Sequence, residues 1–261
     1  MFSRNPFAEL SESIPPLVMQ AYIVVMIILV VAGTLYDVLH KKSAQYFFNN
    51  WRIARSKASQ QVSAGEIASL AIQTAVVEGL MSGEFCSVRR RIAHLLTMYG
   101  FLAYVITTAI MVFWYPTPAT PTPAVLPQLW YIGALMVCLG GYWFWFFIRV
   151  DVAAEGNSPF RIVRADLFIL SLLASATLGL LWGYLQATAN SWANLIFSLH
   201  IIATTVLFGT VPWSKFAHMF FKPAAAFQKR VEDASGSRNN LPSPADRPEV
   251  FGRARTEARN Y

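Results

Sequence analysis

Charge is what this sequence has least of. Asp, Glu, Lys and Arg make up 13% of its 261 residues, where a soluble domain carries about 25%. With 55% hydrophobic residues, that shortage excludes an ordinary water-facing globule. Cysteine is scarce as well. Cys86 and Cys138 are its two copies, far apart and in no CxxC pair, which argues against a disulfide framework or a cysteine-built iron–sulfur site. Histidine is limited to His40, His94, His200 and His218. The N-terminus has no basic run ahead of its first apolar block, and that block is too long for a cleaved signal, so a retained helix is expected there.

What is present comes in apolar blocks long enough to span a bilayer. The reading is an all-α integral membrane protein with five transmembrane helices, over about 17–39, 92–114, 129–148, 166–185 and 193–221. Residues 1–16 are a polar leading segment ending in Pro15-Pro16. An amphipathic helix is expected over 64–85, too polar to span and suited to a membrane surface or a partner. The uncharged, proline-rich stretch 115–128 reads as an extended connector. Residues 224–261 read as a polar tail, disordered when alone.

The formal net charge of +7 would suit nucleic acid, but its distribution points to membrane topology instead. The segments 39–91, 149–165 and 215–261 hold every Lys and Arg except Arg4, and the connectors 115–128 and 186–192 hold none. The positive-inside rule then puts the N-terminus outside and the C-terminus inside. Trp114, Tyr115, Trp130, Tyr131, Trp182, Tyr184 and Trp192 fall near the outer interface, as an aromatic belt.

His200 and His218 are 18 residues apart. On one continuous helix they project from the same face, about 27 Å apart at 1.5 Å per residue, with Pro212 kinking the axis between them. His94, opening the second span, and His218 then lie at one depth. Two neutral imidazoles there suit the axial ligation of a b-type haem, or simple hydrogen bonds at the interface. His200 lies deeper, with Tyr104 at similar depth on the second span. It suits a second haem, a quinone carbonyl, or a hydrogen bond to Ser175 or Thr177 of the fourth span. His40 reads as an interfacial residue.

The run RRRIAHLLTMYGF from Arg89, the 18-residue histidine spacing and PWSKFAHMFFKP closing the last span together resemble one superfamily of cytochrome b membrane proteins. Its members serve respiratory nitrate reductase (the gamma chain), heterodisulfide reductase and the Qmo complex. The likeness runs over about 20–223. It implies one haem b with His94 and His218 as axial ligands of the iron. It also implies a second position at His200, where this chain has Tyr104 in place of the family's histidine. The tail KPAAAFQKRVEDASGSRNN is similar to that of the membrane anchor of adenylylsulfate reductase. The implied role is electron transfer between a cytoplasmic flavin/iron–sulfur enzyme and the quinone pool, in the inner membrane of a bacterium or archaeon. The rival reading is a cofactor-free anchor that docks the soluble enzyme, favoured by the missing partner for His200. A transporter is disfavoured by the near absence of buried charge in the later spans.

Overall fold

The computed structural model describes residues 2–40, 42–83, 85, 87–150, 156, 158–213 and 218–237. Among them the chain is helical throughout, with no strand. The elements are α1 (Pro6–Leu10), α2 (Pro16–His40), α3 (Ser43–Ser56), α4 (Ala64–Thr74), α5 (Val88–Trp114), α6 (Val125–Trp143), α7 (Leu167–Ala187), α8 (Ala193–Gly209) and α9 (His218–Ala234). A π-helical turn, Ala75–Leu80, continues α4, and another, Phe144–Ile148, continues α6.

Among the described residues, four helices are long and apolar enough to cross a membrane: α2, α5, α6 with its π turn, and α7. α2 starts at Pro16, a residue suited to the first helical turn because its missing N–H has no partner there anyway. Its apolar residues run around the whole circumference, and most are exposed, which fits a lipid-facing helix. α5 and α6 form the tightest pair. A Cβ on Gly100 would lie 2.7 Å from the Gly133 carbonyl oxygen, and one on Gly140 would lie 2.6 Å from that of Ala93. Only glycine lets two backbones approach this closely. α7 and α8 pair as a hairpin. α2 joins them through the Tyr22 hydroxyl, which donates to the Ile201 carbonyl at 3.2 Å, and through Gly33 against Val211 and Pro212.

The structure corrects the sequence reading at three places. The first is the last span. Residues 193–221 do not form one helix: α8 ends at Gly209, a 3-10 turn covers Val211–Trp213, and α9 begins at His218. Gly209 has no side chain to pack and Pro212 has no N–H to donate, so the helical hydrogen-bond ladder stops between them. The premise that His200 and His218 share one helix face is therefore lost.

The second is the leading segment. Residues 6–10 form α1, capped by the Asn5 side chain, which accepts from the Phe7 and Ala8 amides. Asn5 also donates to the Tyr115 carbonyl at 2.9 Å, which ties α1 to the proline connector. The third follows from it. Trp130, Tyr131 and Trp182 are buried rather than belted at the interface. Phe7 packs edge-on against Trp130 and Trp182, with ring centroids 5.8 and 5.2 Å away. The short helix covers rings that composition alone would assign to the surface. Trp114, Tyr184 and Trp192 do remain exposed.

At the other end, α3, α4 and α9 form a cap that carries Arg52, Arg55, Lys222, Lys229 and Arg230 beside the Arg89–Arg91 run of α5. Trp51 of α3 stacks on Phe227 of α9, and Arg230 of α9 pairs with Glu78 of the π turn at 3.0 Å. The polar tail beyond residue 237 lies outside the described residues.

Candidate functional site

Two groups of chemistry-bearing side chains stand out. The first is at the basic end, around His94. After its π turn the chain reverses through Ser82, a non-glycine residue at φ +50°. That turn buries Ser82 and places its hydroxyl 2.9 Å from His94 Nδ1. Phe85 lies against the imidazole at 4.9 Å, tilted by 48°. Two cations approach the same phenyl ring from elements far apart in sequence. Arg90 of α5 lies 5.5 Å from the ring centroid, and Lys222 of α9 lies 5.6 Å from it. The ring's negative face attracts both. Arg91 Nε donates to the Met81 carbonyl at 2.7 Å, and the Tyr99 hydroxyl donates to that of Leu80 at 2.9 Å. The result is a folded-over loop, fixed by side chains, with His94 beneath it and guanidinium and ammonium groups around it. His218 opens α9, but its side chain lies outside the described residues, so the pair His94–His218 has no described geometry.

The second group is deep in the bundle. His200 Nδ1 lies 2.9 Å from the Ser175 carbonyl oxygen. A carbonyl can only accept, so Nδ1 carries a proton and donates it. The partner is the backbone of Ser175 rather than its hydroxyl, which pairs with Thr204 at 2.8 Å; the Thr177 hydroxyl pairs with Tyr142 at 2.9 Å. Trp182 stacks parallel to the imidazole at 6.1 Å. Tyr104 stacks on Trp130 at 5.1 Å. Tyr104 and His200 converge on Gly179, where an added Cβ would collide with the Tyr104 hydroxyl and lie 3.4 Å from His200 Cε1. The two residues that the sequence placed at one depth are thus brought together, around a position that tolerates only glycine. His40 stacks on Tyr36 at 5.3 Å, at the end of α2.

A third feature escaped sequence reading. The buried Arg149 guanidinium bonds Asp166 Oδ2 at 2.5 Å and the carbonyls of Ser158 and Arg161 at 2.7 and 2.6 Å. It also lies 4.2 Å over the Trp145 ring. This pair closes the charged connector between α6 and α7. The available signal was an Arg and an Asp bracketing one connector, but nothing in the sequence showed that both would be buried. Among the described residues no group of three or more His, Cys, Asp and Glu side chains is placed to hold a metal ion.

The model of the family "Citrate utilization protein B" matches residues 47–239. A protein of that name from Escherichia coli is 30% identical over 161 residues, 59% of this chain. The chain spans 41% of that relative's length. No solved structure matches.

These matches overturn the cytochrome b reading. They cover the same residues that carried the resemblance and assign them to another family. The motifs that suggested it, a basic run before a histidine and a proline-interrupted apolar segment, are generic at the positively charged ends of membrane helices. The role drawn from that resemblance falls with it: a haem-bearing cytochrome b protein passing electrons to quinone in sulfur metabolism. So does the docking of adenylylsulfate reductase.

Proposed function

The chain belongs to the citrate utilization protein B family, and from that premise we propose that it is a multi-pass membrane component of the machinery by which a cell uses citrate. The observation that carries this reading is the extent of the family match, which runs from within α3 to the end of the described chain and so takes in both the bundle and the basic cap. The compartment we propose is the cytoplasmic membrane of a bacterium or archaeon. α8 serves as a fifth span: its 17 residues reach about 26 Å, close to the hydrocarbon thickness. With five spans, the concentration of Lys and Arg at one end puts the basic cap in the cytoplasm and the proline connector outside. The cap is the part whose chemistry suits a polycarboxylate, since Arg90, Arg91 and Lys222 gather around one loop.

The test is genetic. Deleting the gene should abolish or strongly slow growth on citrate as the sole carbon source and leave growth on glucose unchanged, with recovery on complementation. Equal growth of deletion and parent strains on citrate would overturn the proposal. Cysteine accessibility at Thr120 and Gln60, in intact cells and in inverted vesicles, tests the orientation: Thr120 should label from outside and Gln60 only from inside.

A further inference from the structure

α4 and its π turn have two unlike faces. Ile67, Leu70, Thr74, Val77 and Glu78 turn inward, toward α9, and Glu78 pairs there with Arg230. Ile72, Val76, Leu80 and Met81 point away from the protein, with 66%, 40%, 52% and 50% of their surface exposed. A face this apolar on an otherwise packed helix needs a cover.

The depth of the segment says what the cover is. α5 has 27 residues and is about 40 Å long, roughly 10 Å more than a hydrocarbon core. With Trp114 at the far interface, the excess falls at the start of α5, where Arg89, Arg90 and Arg91 suit the headgroup layer. Tyr99 lies about 16 Å along the helix from Val88, inside the hydrocarbon boundary. Yet Tyr99 donates its hydroxyl to the Leu80 carbonyl. Met81, next in the chain, accepts from Arg91 of the basic collar, so the end of the π turn is held between that collar and Tyr99, at the hydrocarbon boundary.

The same ties have a second consequence. The last carbonyls of a helix take their partners from solvent, from side chains or from a tightened last turn. Here those of Leu80 and Met81 are taken by Tyr99 and Arg91, as a backbone end must be where water is absent. We propose that residues 72–81 form an edge of the membrane domain lying at the hydrocarbon boundary, with lipid acyl chains against Ile72, Val76, Leu80 and Met81. The inference rests on α5 spanning the bilayer and is independent of the citrate reading.

The experiment uses the full chain in lipid nanodiscs, with a nitroxide placed singly at positions 72, 76, 73 and 66. Collision with oxygen should exceed collision with a water-soluble nickel chelate at 72 and 76. The chelate should gain at 73 and dominate at 66, because Gln73 and Glu66 sit progressively round the helix toward water. The unlabelled wild-type chain gives a second measurement. Lipids carrying a diazirine in the acyl chain should leave adducts on residues 72–81 at a yield comparable to that on α2. Chelate-dominated labels at 72 and 76 would overturn the proposal. So would labels there that neither reagent reaches, the mark of a protein partner or a second copy. Absence of adducts in 72–81 when α2 is modified would overturn it too.

Discussion

At the proline-connector end of the bundle, the interior is filled by rings: Trp130, Trp182, Tyr104, Tyr131, Phe197 and, from the leading segment, Phe7. The basic end is held by named donors on named acceptors: Arg149 on Asp166 in the interior, Ser82 with His94 partly buried, and Arg91 on Met81 and Tyr99 on Leu80 toward the surface. One half is stabilised mainly by volume, the other mainly by pairing. Volume is non-directional, so it tolerates chemical change that preserves shape. Pairing in a dry setting is directional, and removing one partner strands the other. Irregular backbone, both π turns among it, is concentrated where pairing dominates, because only side-chain partners can satisfy the groups that such turns release.

The strongest way to break this contrast is at its two anchors. Replacing Arg149 by Ala leaves two carbonyls without their donor and the Asp166 carboxylate with only the Val163 amide, and should lower stability by about 3–5 kcal/mol. The shape-matched double variant Arg149→Met, Asp166→Leu should recover a large part of the loss. Unfolding of the purified protein by SDS or heat measures both. At the ring-filled end, Trp182→Ala should cost a comparable ~3–5 kcal/mol by leaving a cavity. Trp182→Phe should cost far less, since the indole N–H has no acceptor among the described residues and its loss strands nothing. If Trp182→Phe proved as damaging as Trp182→Ala, the ring-filled half would depend on pairing too, and the contrast would fail.

Gly100→Val probes the seam that both halves share. The new side chain would begin 2.7 Å from the Gly133 carbonyl oxygen, a backbone atom that yields only if α5 and α6 separate. A loss of about 1–3 kcal/mol is expected from overpacking, visible in the same unfolding measurement. A tolerated valine would show that the seam is looser than the helix pair requires.

The contrast also explains which features were legible in the sequence. Four of the five expected spans were, because a long apolar run has few alternatives once charge is scarce. The grouping of Tyr104 with His200 was, because helical rise converts residue number into depth. The break after Gly209 was read only as a kink at Pro212: a proline announces a disturbance but not how the chain recovers from it. The burial of Trp130 and Trp182 was hidden because the cover came from Phe7, in a segment too short and polar to register as a helix. The loop over His94 was the least legible of all. Its partners Ser82 and Phe85 lie in an irregular stretch with no periodicity, and Lys222 arrives from the far end of the chain. The family was misread for a related reason: short motifs at helix ends carry topology more than ancestry.

The finest probe of the pairing half is Ser82, where two small effects oppose. Its left-handed backbone costs a non-glycine residue about 1–2 kcal/mol, while its bond to His94 contributes about 0.5–1.5 kcal/mol. Ser82→Gly removes both and should leave stability nearly unchanged. Ser82→Ala keeps the strain and loses the bond, so it should fall below the parent by about 1 kcal/mol. The gap between the two variants isolates the strain, and the gap between alanine and parent isolates the bond. Thermal unfolding of the three proteins side by side resolves both. If Gly, Ala and the parent all behaved alike, the turn over His94 would be held by the surrounding ties from Arg91 and Tyr99, with Ser82 a passenger in it.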